Sequence, residues 1–284
     1  MKENRTFSFI AVTLVYLFAA AVGILVYELL PYALWLNLLL ADIAATVFTF
    51  IFSLIFKNAS VYDPYWSVQP IVIVLAFAFG KKATLLGVLL VITICLWGIR
   101  LTANWAYTFR SLNAQDWRYT MLHEKTGKLY FFVNLFGIHL VPTLIVYACV
   151  MPAVAVIAYI PPFNAWALPF IALSVFAFTM QGIADVQMHK FRKSKIGGFI
   201  RVGLWKYSRH PNYLGEILMW WGIGLAAVCA LPSKWYLITG AFLNTLLFLG
   251  ISIPMADKRQ ARKDGFAEYK AQTRMLFPIK KPLK

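Results

Sequence analysis

Lys190–Trp221 reads KFRKSKIGGFIRVGLWKYSRHPNYLGEILMWW, and within it a basic, glycine-containing loop turns into a segment apolar enough to enter a bilayer. Seven Lys or Arg residues (Lys190, Arg192, Lys193, Lys195, Arg201, Lys206 and Arg209) occupy its first twenty positions, a density suited to phosphate groups or to the cytoplasmic flank of a membrane helix. Pro211 suits the first turn of a helix, where a missing N–H costs nothing. A helix starting there puts Asn212 and Glu216 on one face, close to free backbone N–H groups that attract anions. Glu216 is followed by Ile-Leu-Met-Trp-Trp. A carboxylate entering hydrocarbon is costly and by default functional, so this stretch is where chemistry is expected.

The rest of the chain agrees. Its 284 residues are 61% hydrophobic and 13% charged, with a mean hydropathy of +0.69, values of a polytopic membrane protein. The formal charge of +16 lies in a few loops and the tail, which points to anionic lipid headgroups and a phosphorylated cofactor, and away from nucleic acid. Cys95, Cys149 and Cys229 stand singly in apolar runs, and the four histidines form no helical ligand pair. Neither a disulfide framework nor a metal site is indicated.

Apolar runs extend over Phe7–Tyr27, Ala33–Phe56, Ala83–Phe109, Leu129–Ile160, Ala165–Met188, the segment after Glu216 to Leu231, and Trp235–Met255, with a short run over Ile71–Phe79. This predicts an all-α polytopic bundle of about seven membrane helices, seven or eight depending on whether the short run and the segment after Glu216 cross fully. It forms one membrane domain over residues 1–284, with a cytoplasmic loop at 190–212 and a cytoplasmic tail at 256–284. The basic residues of 110–128, the Lys190 loop and the tail set that orientation, and an inner-membrane location in a bacterium fits it.

A second informative stretch is Lys57–Pro70, KNASVYDPYWSVQP. Prolines 64 and 70 break its pattern, and an interfacial aromatic belt accounts for Tyr62, Tyr65 and Trp66 but leaves Asp63 unexplained. Further on, Trp97 and Arg100 lie inside the fourth apolar run.

Arg209-His210-Pro211-Asn212-Tyr213-Leu214-Gly215-Glu216, together with Asp116-Trp117-Arg118-Tyr119 and the tail's Glu268-Tyr269 and Phe277-Pro278, resembles the membrane steroid 5α-reductase family, particularly its bacterial branch. The resemblance covers most of the chain from about residue 60 and is most specific in the C-terminal half. It implies a bundle of about seven spans with NADPH at the cytoplasmic side, reducing the C4–C5 double bond of a 3-oxo-Δ4 steroid or similar lipid enone. It implies cofactor contacts by Asp185, Arg192, Asn212, Glu216 and Trp220, and by Arg201, Tyr207, Arg209 and Lys258.

For catalysis the family uses a Gln-Glu pair seven residues before a proline and a Tyr on the next helix. Here Tyr62-Asp63 stands at the pair's position before Pro70, and Trp97 at that of the Tyr. Asp63, Tyr62 and Trp97 are therefore the residues expected at the ketone, with Tyr65 and Tyr107 as further candidates for the aromatic donor, and a buried acid kept protonated would donate to the developing oxyanion. The Arg-His-Pro-x-Tyr-x-Gly pattern also occurs in membrane methyltransferases of the isoprenylcysteine type, which hold S-adenosylmethionine at the corresponding loop. That is the alternative reading, beside a sterol reductase acting on another double bond.

Overall fold

The computed structural model describes residues 2–281. The protein is an integral, multi-pass, all-α membrane protein. Among the described residues seven helical segments are long and apolar enough to cross a bilayer: Arg5–Leu29, Leu34–Phe56, Leu85–Thr108, Trp117–Tyr159, Ala165–Ser194, Pro211–Ala230 and Pro232–Gln260. The short run at Ile71 belongs to a helix of 14 residues, Tyr65–Ala78, too short for a full crossing at 1.5 Å per residue. The segment carrying Glu216 is a span in its own right, so the count is seven.

In chain order the helices are α1 (Arg5–Leu29), α2 (Leu34–Phe56), α3 (Tyr65–Ala78), α4 (Leu85–Thr108), α5 (Trp117–Thr126), the single turn α6 (Tyr130–Phe132), α7 (Val141–Tyr159), α8 (Leu168–Ser194), α9 (Pro211–Ala230), α10 (Thr239–Leu247), α11 (Ile253–Gln260) and α12 (Phe266–Gln272). Wide π-helical turns at Val133–Leu140 and Phe248–Ser252 lead into α7 and α11. The one β-type pairing among the described residues is an isolated bridge between Ser208 and Arg274.

The chain forms two compact units, one of Met1–Phe79 with Ile94–Val150, the other of Gly80–Thr93 with Met151–Lys284. In the first, α1 lies against α2 and turns Ser8, Val12, Val15 and Ala19 inward at helical spacing, leaving Ile10, Leu14, Leu17 and Phe18 on the outer, lipid-compatible face. Residues 57–64 are pinned by side chains to residues 111–116. Asn58 donates to the Leu112 carbonyl at 2.6 Å, the Asp116 amide donates to Ser60 Oγ at 2.8 Å, and the Ala59 amide donates to Gln115 Oε1 at 3.0 Å. These bonds satisfy backbone groups at a buried turn, where unpaired ones would be costly.

In the second unit α8 and α9 form the central pair. Two glycines permit their approach: a Cβ on Gly215 would lie 2.6 Å from the Ala177 carbonyl oxygen, and one on Gly222 would lie 2.6 Å from that of Phe170 and run into Ser174 Oγ. Membrane helices associate largely through such small-residue contacts, because lipid tails are as apolar as the side chains they replace. Ser174 Oγ also donates to the Met219 carbonyl at 3.0 Å across the pair.

Gly222→Ala is therefore expected to force the pair apart and to lower stability by about 1–3 kcal/mol, seen as a lower melting temperature in detergent. Gly224→Ala, whose Cβ would meet nothing nearer than 3.6 Å, leaves the melting temperature unchanged or slightly raised.

Candidate functional site

The polar side chains gather in two places, one in each unit. In the second unit the organising residue is Glu216. It begins the second turn of α9, whose first residue is Pro211, and it is 3% exposed. Gln181 of α8 donates to Glu216 Oε2 at 2.9 Å and Trp220, one turn on, donates its indole N–H to Oε1 at 2.9 Å. A carboxylate at this depth is tolerable because both oxygens receive donors. The same neighbourhood contains oxygen acceptors without a partner: Gln181 Oε1 is buried and has none, and Asn212 Oδ1, four residues before Glu216, also has none. Trp220 is 1% exposed, Asn212 is half-buried and Asp185 is half-buried lower on α8.

The basic residues of the loop are placed differently from the expectation. Arg209 is buried and donates from Nη1 to the Thr273 carbonyl at 3.0 Å, with Nε 3.4 Å from Asp257 Oδ2. His210 Nε2 lies 2.9 Å from Asp257 Oδ1, and the Tyr213 ring stacks on the His210 imidazole at 5.2 Å. Arg201 lies over the Phe199 ring at 4.4 Å and donates to the Gly265 carbonyl at 3.1 Å. The Tyr207 carbonyl accepts from the Arg274 amide at 3.0 Å and the Arg209 amide donates to the Arg274 carbonyl at 3.0 Å. Much of the loop's hydrogen-bonding capacity thus fastens the C-terminal tail. Tyr269 joins this clasp by donating to the Trp205 carbonyl, and burial pushes its phenol up to about 12, which keeps it a neutral donor. Arg192 and Lys258 are exposed in the last turns of α8 and α11, where cations favour the helix dipole.

This architecture corrects the NADPH expectation. A Rossmann-type dinucleotide site is a strand–turn–helix unit that brings a glycine turn and a helix N-terminus to the pyrophosphate. The described residues contain no β-strand, only the isolated Ser208–Arg274 bridge. Two of the arginines counted on for phosphate, Arg201 and Arg209, hold tail carbonyls instead.

In the first unit Tyr62 and Asp63 are adjacent in sequence but face different partners. The Tyr62 hydroxyl is 2.8 Å from Thr143 Oγ1, itself 3.0 Å from Thr46 Oγ1. The Asp63 carboxylate accepts from the Tyr119 hydroxyl at 2.6 Å. Trp97 is fully buried on α4. Two residues outside the expected site complete this cluster. Asp42 of α2 is 5% exposed; it accepts from the Tyr65 hydroxyl at 2.9 Å and from the Gln69 amide. Its one available signal was being the sole charge in its apolar run. His139, in the first π-helical segment, is wholly buried with its ring 4.6 Å from that of Tyr62.

Asp63 lies between α2 and α3, outside the seven spans. Its enclosure pushes the carboxyl from the ordinary 3.8 up to about 6, against the opposing pull of the Arg118 guanidinium and the Tyr119 hydroxyl. The folded chain therefore holds this proton more tightly than the unfolded chain, so the contribution of Asp63 to stability falls as pH rises through the interval between those two values. Melting curves in detergent are expected to show that fall in the wild type, and Asp63→Asn removes this component of the pH dependence. Tyr119→Phe takes away a donor to the carboxylate and moves the loss to higher pH.

The model of the family described as a protein of unknown function, DUF1295, matches residues 49–273. An uncharacterized protein of Schizosaccharomyces pombe is 29% identical over 206 residues, 62% of this chain and 60% of that protein. Methanethiol S-methyltransferase 1 of Bradyrhizobium diazoefficiens is 26% identical over 129 residues, 45% of this chain and 43% of that enzyme. The chain thus spans less than two thirds of the length of these relatives. No solved structure matches.

Proposed function

The chain belongs to the DUF1295 family, and from its likeness to a methyltransferase together with the Glu216 cluster we propose that it is a membrane-embedded methyltransferase that uses S-adenosylmethionine. This is the alternative that the Arg-His-Pro-x-Tyr-x-Gly pattern allowed, and the loss of the dinucleotide site removes the hydride donor on which enone reduction depended. In a methyltransferase Tyr62, Asp63 and Trp97 have no ketone to polarise.

The observation that carries the reading is the surplus of acceptor oxygens around α9. Glu216 is a buried carboxylate with two donors, and Gln181 Oε1 and Asn212 Oδ1 have no partner. S-Adenosylmethionine carries an ammonium group, ribose hydroxyls, an adenine amine and a positive sulfonium, so it brings donors and positive charge. The donor set and the charge of the cluster fit it: Glu216, Asn212 and Gln181 are the residues that would hold it. When bound, it supplies an electrophilic methyl group. The chain's own residues do the rest. Gln181 and Trp220 fix the Glu216 carboxylate against rotation, and the surrounding apolar helices exclude water, which strengthens each polar contact made there.

The acceptor is proposed to be a thiol, after the printed activity of the relative, on an apolar molecule that reaches the protein from the bilayer. Incubating the purified protein with deuteromethyl S-adenosylmethionine and a series of thiols is expected to yield labelled thioether and S-adenosylhomocysteine, read by mass spectrometry. Glu216→Gln should weaken S-adenosylmethionine binding by roughly tenfold or more, the scale of one charge-assisted hydrogen bond. No labelled product with any thiol, or unchanged affinity in the variant, overturns the assignment.

A further inference from the structure

Two stretches far apart in sequence concentrate positive charge in the second unit. Residues 190–202 hold five Lys or Arg residues and residues 258–264 hold four, against a single acid, Asp264. The fold brings the two stretches together. Lys263 Nζ donates to the Gly198 carbonyl at 2.6 Å, and in return Arg201 donates to the Gly265 carbonyl at 3.1 Å. The Phe199 ring also packs on Phe266 of α12 at 5.3 Å and on Tyr269 at 4.9 Å. Gly197 and Gly198 make the turn at φ +62° and +69°, where a side chain would be strained, and a Cβ on either would meet nothing within 4 Å. The loop is thus fastened at its base and open in front of the glycine turn.

Like charges held this close repel. Partial burial and the guanidiniums of Arg259 and Arg192 hold the Lys263 ammonium below its ordinary value, so cations from α8, α11 and the linker to α12 act on one another. An anion placed among them relieves that repulsion. Arg192 lies in the last turn of α8 and Arg259 in the last turn of α11, both at the ends of membrane spans. The cluster therefore lies at the level where lipid headgroups begin. Two apolar side chains stand exposed in the same loop, Ile196 at 76% and Val202 at 60%. Apolar groups interleaved with cations are costly in water and fit the boundary between headgroups and acyl chains. A water-soluble phosphate would satisfy the cations and leave both of these side chains in water.

We propose that the loop 192–202, with Arg259 and Lys263, is a binding surface for the phosphate of an anionic phospholipid of the surrounding bilayer, with Ile196 and Val202 entering the acyl boundary beside it. None of the residues assigned to methyl transfer takes part, so the surface stands or falls independently of that reading.

The test is native mass spectrometry of the whole protein in detergent, titrated with dioleoylphosphatidylglycerol or with dioleoylphosphatidylcholine, which differ in net charge. Phosphatidylglycerol is expected to half-saturate the protein at a concentration roughly tenfold below that of phosphatidylcholine, the scale of one or two interfacial cations. Arg192→Gln combined with Lys263→Gln removes most of that preference. Lys125→Gln combined with Lys128→Gln, an equal loss of charge from the first unit, keeps it. The same loss of preference in both double variants means diffuse attraction and overturns the proposal. Should the first double variant not fold, acetylation of the wild-type lysines decides: phosphatidylglycerol protects Lys195 and Lys263 and leaves Lys125 reactive. Equal protection by phosphatidylcholine, or by inorganic phosphate alone, overturns the assignment to an anionic lipid.

Discussion

Everything specific about the second unit hangs on a carboxylate placed where hydrocarbon should be. Glu216 is buried, and an unpaired charge at that depth would cost several kcal/mol. It persists because one donor arrives from its own helix, Trp220, and another from α8, Gln181. The second donor reaches it only because α8 and α9 touch backbone to backbone at Gly215 and Gly222. Glycine at these two positions is thus part of the electrostatics: side chains there would widen the gap and strand the charge. Gln181 Oε1 and Asn212 Oδ1 are left with nothing to accept from, and the proposed binding of a donor-rich, positively charged cofactor rests on them.

The basic loop serves this arrangement structurally. Arg209 and Ser208 bind the backbone of residues 273–276, Arg201 binds that of Gly265, and Asp257 holds Arg209 and His210 together. These bonds tie the start of α9 to α11, α12 and the tail, so the helix that carries Glu216 is anchored at its N-terminus. In the first unit Asp42 takes the donors of Tyr65 and Gln69, and His139 Nε2 is left without a partner. Each unit presents buried oxygen or nitrogen lone pairs lacking a donor.

How much of this the chain discloses unaided depends on whether the signal is local. Apolar runs are local, and so is a proline beside a polar cap: six of the spans and the start of α9 at Pro211 were legible residue by residue. The pairing of Glu216 with Gln181 was half legible, since both stand out as polar residues in apolar helices, but their partnership is a matter of packing. The Arg209–Asp257 and His210–Asp257 contacts join residues almost fifty positions apart, and no periodicity connects them. His139 was invisible for another reason. A histidine in an apolar run has no ligand spacing to betray it, and the π-helical turn that sets its tautomer depends on one extra residue that sequence patterns do not report. The NADPH expectation failed because a count of Lys and Arg does not say which of them the tail will claim. The Arg-His-Pro motif itself is shared between two chemistries, so it does not choose the reaction.

The most direct measurement of the central claim is native mass spectrometry of the detergent-solubilised protein titrated with S-adenosylmethionine, in the wild type and in Gln181→Leu. A one-to-one complex is expected in the wild type and a much weaker one in the variant, because losing Gln181 removes both a donor to Glu216 and an acceptor for the ligand. A wild type that retains no S-adenosylmethionine, or a variant that binds it as well, would contradict the role assigned to the buried carboxylate.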